Sequence, residues 1–307
     1  MKGLLFCGIF AAVLTGCQQR TEVTTTKGSI SVHSDEALLP LMKLLVAEFQ
    51  QRYPEAAITI VPREARSAVV DFVNDSTRMI VVDRPLNREE LEALQGANIE
   101  YREYAFAYDA VGVIVHPTNP IREMRVGQLD SVLNGMTFRW PARKGVLLPI
   151  QLALCGPNSS TNEITRTKIM GDHQFSPAAQ YFASNSEVLD FVQSNEGALG
   201  LVSLSWLQGA DDSITILKLG DPGHPPDSTQ PPGLFYGPEQ AHVYRNYYPL
   251  STKASIYNRE LLRTVGLGLI SFINGIEGQK IVQKNGLVPA TMPVRLVETT
   301  STQVNTQ

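Results

Sequence analysis

Four short turns carry most of the residues that could do chemistry: "HSDE" at 33–36, "REARS" at 63–67, "VDRP" at 82–85 and "NSST" at 158–161. Each follows a β-rich run and leads toward an apolar pattern of helical period, so each stands where a strand hands over to a helix. At such a handover several backbone N–H groups lack intrahelical partners, beside the positive end of the helix dipole. Short hydroxyls and free N–H groups there can hold a compact anion. The competing reading of any one turn is a cap. Ser160 with Glu163 three residues on has the spacing of a capping box, in which the glutamate reaches back to the cap. Both readings stay open for each turn, and the residues at issue are Ser34, Asp35, Ser67, Asp83, Arg84, Asn158, Ser159, Ser160 and Thr161.

Enzyme chemistry finds no foothold. The chain has no G-x-S-x-G elbow, no G-x-x-x-x-G-K-[ST] phosphate loop and no H-E-x-x-H. Its five histidines, His33, His116, His173, His224 and His242, never fall at metal-ligand spacing. "GLGLIS" from Gly266 lacks the third glycine of a dinucleotide fingerprint and reads as core helix. No cofactor or metal is therefore expected. A net charge of −4 with no run of Lys or Arg offers no face to a phosphodiester backbone, which excludes nucleic acid as a partner. Arg63, Arg66 and Arg84 could bring positive charge to an anion, opposed by Glu64 and Asp83. Tyr104, Tyr108 and Trp140 could line a cleft, although single aromatics more often pack.

The elements that must position these turns alternate. "GSISV" (28–32) reads as a strand and Leu38 to Tyr53 as an amphipathic helix. Its Pro40 belongs near the first turn, with Ser34, Asp35 or Glu36 as cap. Strands at 58–61 and in "MIVVDRPL" enclose a helix around 69–74. "AYDAVGVIVHPTNPI" (107–121) is an apolar strand that leaves one unit and opens another. After it come a helix at 126–133, the strand "VLLPIQLAL", a helix after "NSST", a helix at 187–194 and the strand "ALGLV". "DPGHPPDSTQPPG" (221–233) is too rich in proline for regular structure. A strand near 255–257, a helix from Arg259 to Ile273 and a short helix from Glu277 follow. The order predicts two α/β lobes of roughly 100 to 150 residues.

The first residues read as a leader: Lys2, an apolar run from Gly3 to Val13 too short to span a bilayer, then Leu14-Thr15-Gly16-Cys17. This tetrad resembles the bacterial lipobox, which implies that Cys17 receives a lipid and begins the mature chain. Polar residues 18–27 make a tether. With Cys7 removed and Cys17 lipidated, Cys155 is left alone and no intrachain disulfide is expected.

The whole order of segments after Gly28 resembles the periplasmic substrate-binding proteins of ABC transporters, specifically the phosphate-binding branch. "LLVAEFQQRYPEAAITI", "AYDAVGVIVHPTNPI", "EGALGLVSLSWL", "YYPLST" and "INGIEGQKIVQKNGLVPA" carry the resemblance most specifically. It implies a two-lobed type II periplasmic-binding-protein fold closing on an anion, with a leader and tether at 1–27. One lobe would comprise 28–108 plus 242–300, the other 109–241, with a disordered tail at 301–307. It implies no catalysis, phosphate or a related oxyanion as ligand, an ABC permease as partner, and a monomer on the periplasmic side of a bacterial membrane, anchored through Cys17. Ser34 and Asp35 match the first loop of the family, Asp83-Arg84 its Ser-Arg after the third strand, and Ser159, Ser160 and Thr161 its Ser-Gly-Thr. Two departures stand out: the arginine expected ahead of that motif falls on Cys155, and "PREARSA" replaces a glycine-rich turn. An arginine offers an oxyanion a permanently charged fork and a cysteine does not. The alternative is an interaction or structural lipoprotein that keeps the fold with an altered or lost anion site.

Overall fold

The computed structural model describes residues 23–141, 147–220, 234–260 and 262–292. The leader, Cys17, most of the tether, the Pro-rich stretch 221–233 and the tail 301–307 lie outside them. The first described elements are β1 (Gly28–Asp35), α1 (Leu39–Arg52), β2 (Ala56–Arg63), α2 (Ala65–Val73), β3 (Met79–Val82), α3 (Arg88–Gly96) and β4 (Arg102–Val115). There follow β5 (Glu123–Arg125), α4 (Val126–Leu133), β6 (Gln151–Cys155), α5 (Ser160–Thr165), β7 (Gln180–Phe182), α6 (Asn185–Ser194), β8 (Ala198–Ser203), β9 (Thr215–Ile216), β10 (Lys218–Gly220) and α7 (Gln240–Tyr244). The last are β11 (Ser251–Asn258), α8 (Val265–Ile273), α9 (Ile276–Lys284) and β12 (Val288–Pro289).

The β-α-β-α-β start folds as its pattern requires, with β1 parallel to both β2 and β3 and helices crossing between them. α1 shows why: Leu39, Leu41, Met42, Leu45, Val46 and Phe49 recur at helical spacing and are all buried. Each contributes about 1.5–3 kcal/mol relative to exposure. Pro40 sits in the first turn, where no N–H is needed.

The sheet runs β2-β1-β3-β11-β4-β8-β6-β7. β4 is its pivot: residues from Arg102 to Ala110 pair with β11, and Val111 to Val115 pair with β8. The apolar core divides at the same place. One cluster gathers Val32, Leu38, Phe49, Met79, Phe106 and Ala254, and another gathers Val111, Ile114, Leu129, Leu154, Leu199 and Leu217. The result is a two-lobed α/β protein whose lobes share a strand.

Local boundaries depart from the sequence reading where tertiary pairing intervenes. β4 starts five residues earlier than its apolar run, because β11 lends its N-terminal half a partner. α8 begins at Val265, not Arg259, since Asn258 and Glu260 use their polar groups in a turn. α3 had no counterpart in the sequence reading, although Asn87 and Glu90 form a full capping box there. "GLGLIS" is core helix, with Gly266, Gly268, Leu269 and Ile270 buried.

Candidate functional site

The strand-to-helix turns of the two lobes face each other across the crossing strand. β1 ends at Asp35, which caps the short helical turn Glu36–Leu38: Oδ1 accepts from the Ala37 N–H at 3.2 Å. The other oxygen, Oδ2, accepts from the Asp83 N–H at 3.2 Å, which ties the turn after β1 to the turn after β3. Ser34, fully buried, donates to the Asp35 carbonyl.

In the opposite lobe Ser159 caps α5, accepting from the Asn162 N–H and lying 3.1 Å from the Thr161 hydroxyl. Glu163 therefore does not close a capping box with Ser160. Its carboxylate leaves the helix for the other lobe, where Oε2 pairs with Arg84 Nε at 2.6 Å and Oε1 accepts from the Asn87 amide at 3.0 Å. Charge decides this: a guanidinium attracts a carboxylate more strongly than a single neutral N–H does. α5 proper is six residues long, so the side chains around it, more than its dipole, define the site.

The structure thus brings together Ser34, Asp35, Asp83, Arg84, Ser159, Ser160 and Thr161, all buried. Asn158 lies apart at the rim, where its amide donates to Glu64 and its carbonyl accepts from the Arg66 N–H. Between these two, a Cβ on Gly156 would collide with the Glu64 carboxylate, so the lobes approach here as closely as glycine permits. Ser67 is half-buried on the first turn of α2.

The positive charge is arranged differently from the expectation. Arg63 binds Asp71, and Arg66 is exposed and paired with Glu89, so neither reaches the group. Arg84 does, but it is enclosed by acids, with a two-pronged pair to Glu90 at 2.8 and 2.7 Å besides Glu163. Trp140 belongs to the core of the second lobe, donating to the Gly197 carbonyl, and Tyr104 packs on the core of the first. Tyr108 is exposed and lines a cavity of about 620 Å³ beside the site with Pro85, Lys168, Tyr244, Thr252 and Lys253.

Acidic groups that the turns alone did not reveal complete the site. Asp109 lies in the middle of β4, fully buried, accepting from the Ser203 hydroxyl at 2.5 Å and from the Ala110 N–H. A lone acid inside an apolar strand was the available signal. Burial pushes its carboxyl up to about 6, against the pull of Ser203 and neighbouring N–H groups. Asp83 is raised well above the usual range, first by burial and then by the charges of Asp109 and Asp35. Asp35 is raised too, by burial, with the nearby Ser160 hydroxyl, the N–H groups of Asp83 and Ala37 and the Arg84 charge opposing. Four polar atoms of this group, both carboxyl oxygens of Asp83, the Ser160 hydroxyl oxygen and Arg84 Nε, are buried without a well-aligned hydrogen bond, although Asp83 faces the Asp109 carboxyl and Ser160 faces that of Asp35. Buried polar atoms without partners are rare in folded proteins and mark places built for something more.

Cys155 ends β6 beneath the site. Its Sγ lies 3.7 Å from the Glu36 carboxylate and within reach of the Asn185 amide. Burial, and next the Glu36 charge, push the thiol far up, which keeps it neutral and a poor nucleophile. With Cys7 and Cys17 replaced by serine, native protein should leave Cys155 unmodified by an aromatic disulfide reagent over hours, with one thiol per chain appearing at once in guanidinium. Rapid labelling of the native protein would contradict this burial.

Among the described residues there is no group of three or more His, Cys, Asp or Glu able to hold a metal, and no helix long and apolar enough to cross a membrane.

Comparison with known proteins places this architecture. Protein SphX of Synechococcus elongatus is 21% identical over 215 residues, covering 68% of this chain and 64% of SphX. Phosphate-binding protein PstS of Staphylococcus haemolyticus is 21% identical over 198 residues, covering 64% of this chain and 62% of the relative. The chain thus spans less than two thirds of the length of these two relatives. A structure from Clostridium perfringens, described as a phosphate ABC transporter substrate-binding protein with bound phosphate, superposes with a TM-score of 0.72 at 23% identity, covering 85% of this chain and 99% of that one. The names of the second and third describe phosphate binding and, for the third, transport. The family described as PBP superfamily domain matches residues 20–273, and its two α/β lobes joined by shared strands are those seen here: the chain belongs to the PBP superfamily.

Proposed function

We propose that the chain is an extracytoplasmic solute-binding protein that captures a small oxyanion, phosphate by its likeness to named phosphate-binding relatives, and delivers it to an ABC permease. In this reading Cys17 carries a lipid that anchors a monomer to the periplasmic side of a bacterial membrane. One lobe comprises 28–108 with 242–300 and the other 109–241, and capture proceeds by closure of the lobes.

The observation that carries the reading is the orphaned set at the lobe junction, the Asp83 carboxyl and the Ser160 hydroxyl. Burial and the charges of Asp109 and Asp35 raise the Asp83 carboxyl well above the usual range, and in its protonated form it offers an O–H and a carbonyl where an ionised group would only repel. An oxyanion between Asp83 and Ser160 would satisfy both. The cavity beside them is lined by Lys168, which donates to the Ser251 carbonyl, and by Lys253, which is paired with Glu103.

Calorimetric titration with phosphate is expected to give saturable heat. Ser160→Ala and Asp83→Ala should each weaken binding about tenfold or more, as for loss of a hydrogen bond to a charged partner, whereas Asp83→Asn, which keeps a donor and a carbonyl, should not. A second reading, an interaction lipoprotein with a lost anion site, is favoured by the occupation of Arg84 by two glutamates. No heat from phosphate, sulfate or molybdate on folded protein would sink the capture reading and leave this one.

A further inference from the structure

Two carboxylates of the chain itself occupy donors in the lobe opposite their own. Glu36 belongs to the first lobe, on the turn after β1, and its side chain is received by the second. Oε1 and Oε2 accept from the Asn185 N–H at 3.2 and 3.1 Å, Oε2 also accepts from the Asn185 side-chain amide, and the Cys155 thiol points at it from 3.7 Å. The backbone around it is gripped as well: Trp206 Nε1 donates to the Glu36 carbonyl at 2.9 Å and the Ser205 hydroxyl to the Ala37 carbonyl. Glu163 makes the reverse crossing, from α5 of the second lobe to Arg84 and Asn87 of the first. A backbone N–H, a primary amide and a guanidinium are the donors that proteins use for small oxyanions, and a carboxylate presents the same paired oxygens to them.

We propose that Glu36 and Glu163 are resident anions that hold the lobes together and determine how strongly an external oxyanion can bind. Arg84 is ringed by acids: Glu90 takes its two terminal nitrogens, and Glu163 Oε2 lies 2.6 Å from Nε as an ion pair without the alignment of a hydrogen bond. A solute gains that positive charge only by displacing Glu163, and otherwise meets the neutral donors of Asp83 and Ser160. Cys155 fits the same scheme, since its neutral thiol can donate to the Glu36 carboxylate that the Asn185 donors already hold. The holding role needs no solute, and the effect on affinity rests on the capture reading proposed above.

Trp206 reports the first role directly, because its indole touches Glu36 across the junction. In a Trp140→Phe background it is the sole tryptophan, as the chain has two. In phosphate-free buffer, Glu36→Ala combined with Glu163→Gln should raise the acrylamide quenching of Trp206 severalfold while unfolding stays cooperative. Quenching unchanged from the background would overturn the holding role. Glu163→Gln alone keeps the Glu90 pair on Arg84, so it retains a paired guanidinium in a folded protein, and should bind phosphate at least tenfold tighter than the parent. Equal or weaker binding by Glu163→Gln, with the parent binding measurably, would overturn the competition and leave capture intact. If neither protein binds phosphate, capture fails and the competition with it, and the quenching result alone decides the holding role.

Discussion

Replacing Arg84 by methionine should lower the unfolding free energy by about 3–5 kcal/mol, the range for removing one partner of a buried ion pair. The Arg84 side chain is 3% exposed, its partners Glu90 and Glu163 10% and 20%. Without the guanidinium, two carboxylates face each other with only the Asn87 groups to neutralise them. The midpoint of thermal unfolding should fall by roughly 6 to 20 °C on the usual relation between stability and midpoint. Adding Glu90→Gln and Glu163→Gln should recover much of the loss, because an uncharged set no longer pays for stranded charge. Urea unfolding of the single and triple variants checks both statements. A loss below about 1 kcal/mol in the single variant would mean that these carboxylates find water when the cation leaves.

The second large effect is on pH. Asp109, raised by burial from 3.8 to about 6, keeps its proton in the folded chain where the unfolded chain has lost it. The native state then binds more protons than the unfolded state, so stability falls as pH rises from about 4 to about 6. Two units correspond to about 3 kcal/mol from this group. Asp83 and Asp35, raised by burial as well, act in the same direction. Opposite in sign are Asp71 and Glu103. Burial would raise them, but Arg63 with His33, and Lys253 with Ser255, outweigh it and hold both below the usual range, so their contribution disappears as pH drops below about 4. Stability should therefore peak between about pH 4 and 5 and decline toward 6, read as the urea midpoint at constant slope. Asp109→Asn should flatten the decline between 4 and 6. A midpoint that rises steadily from pH 5 to 7 would refute the neutral cluster.

Much of this architecture can be read along the chain because its causes are local. The helical spacing from Leu38, the turn chemistry at 33–36 and 158–161 and the apolar run of β4 each depend on residues within a few positions of one another. The two-lobed α/β arrangement follows from their order together with the family resemblance. α3 could have been read the same way: Asn87 with Glu90 is a cap signature in plain view, masked by the charged composition of "NREELEALQ". Within the candidate site, the turn residues and the anomaly at Cys155 were legible, whereas Asp109, an acid inside an apolar run, was a signal that the sequence reading did not take up.

What the sequence left open was the choice of partner. Glu163 had a local amide three residues away and a guanidinium 79 positions away in the chain, and only the closure of the lobes put the second within 2.6 Å. Glu36 on its turn looked like a cap, and its donors lie 149 residues on, at Asn185. Arg63, Arg66 and Arg84 were all offered as sources of positive charge, yet packing buried Arg84 and left the other two at the rim. Spacing sets where strands, helices and caps begin, because those depend on dihedrals and nearest neighbours. Burial, and with it the protonation of Asp83 and Asp109 and the strength of every charge at the junction, depends on which distant segments exclude water from the same place, and that is decided only when the lobes meet.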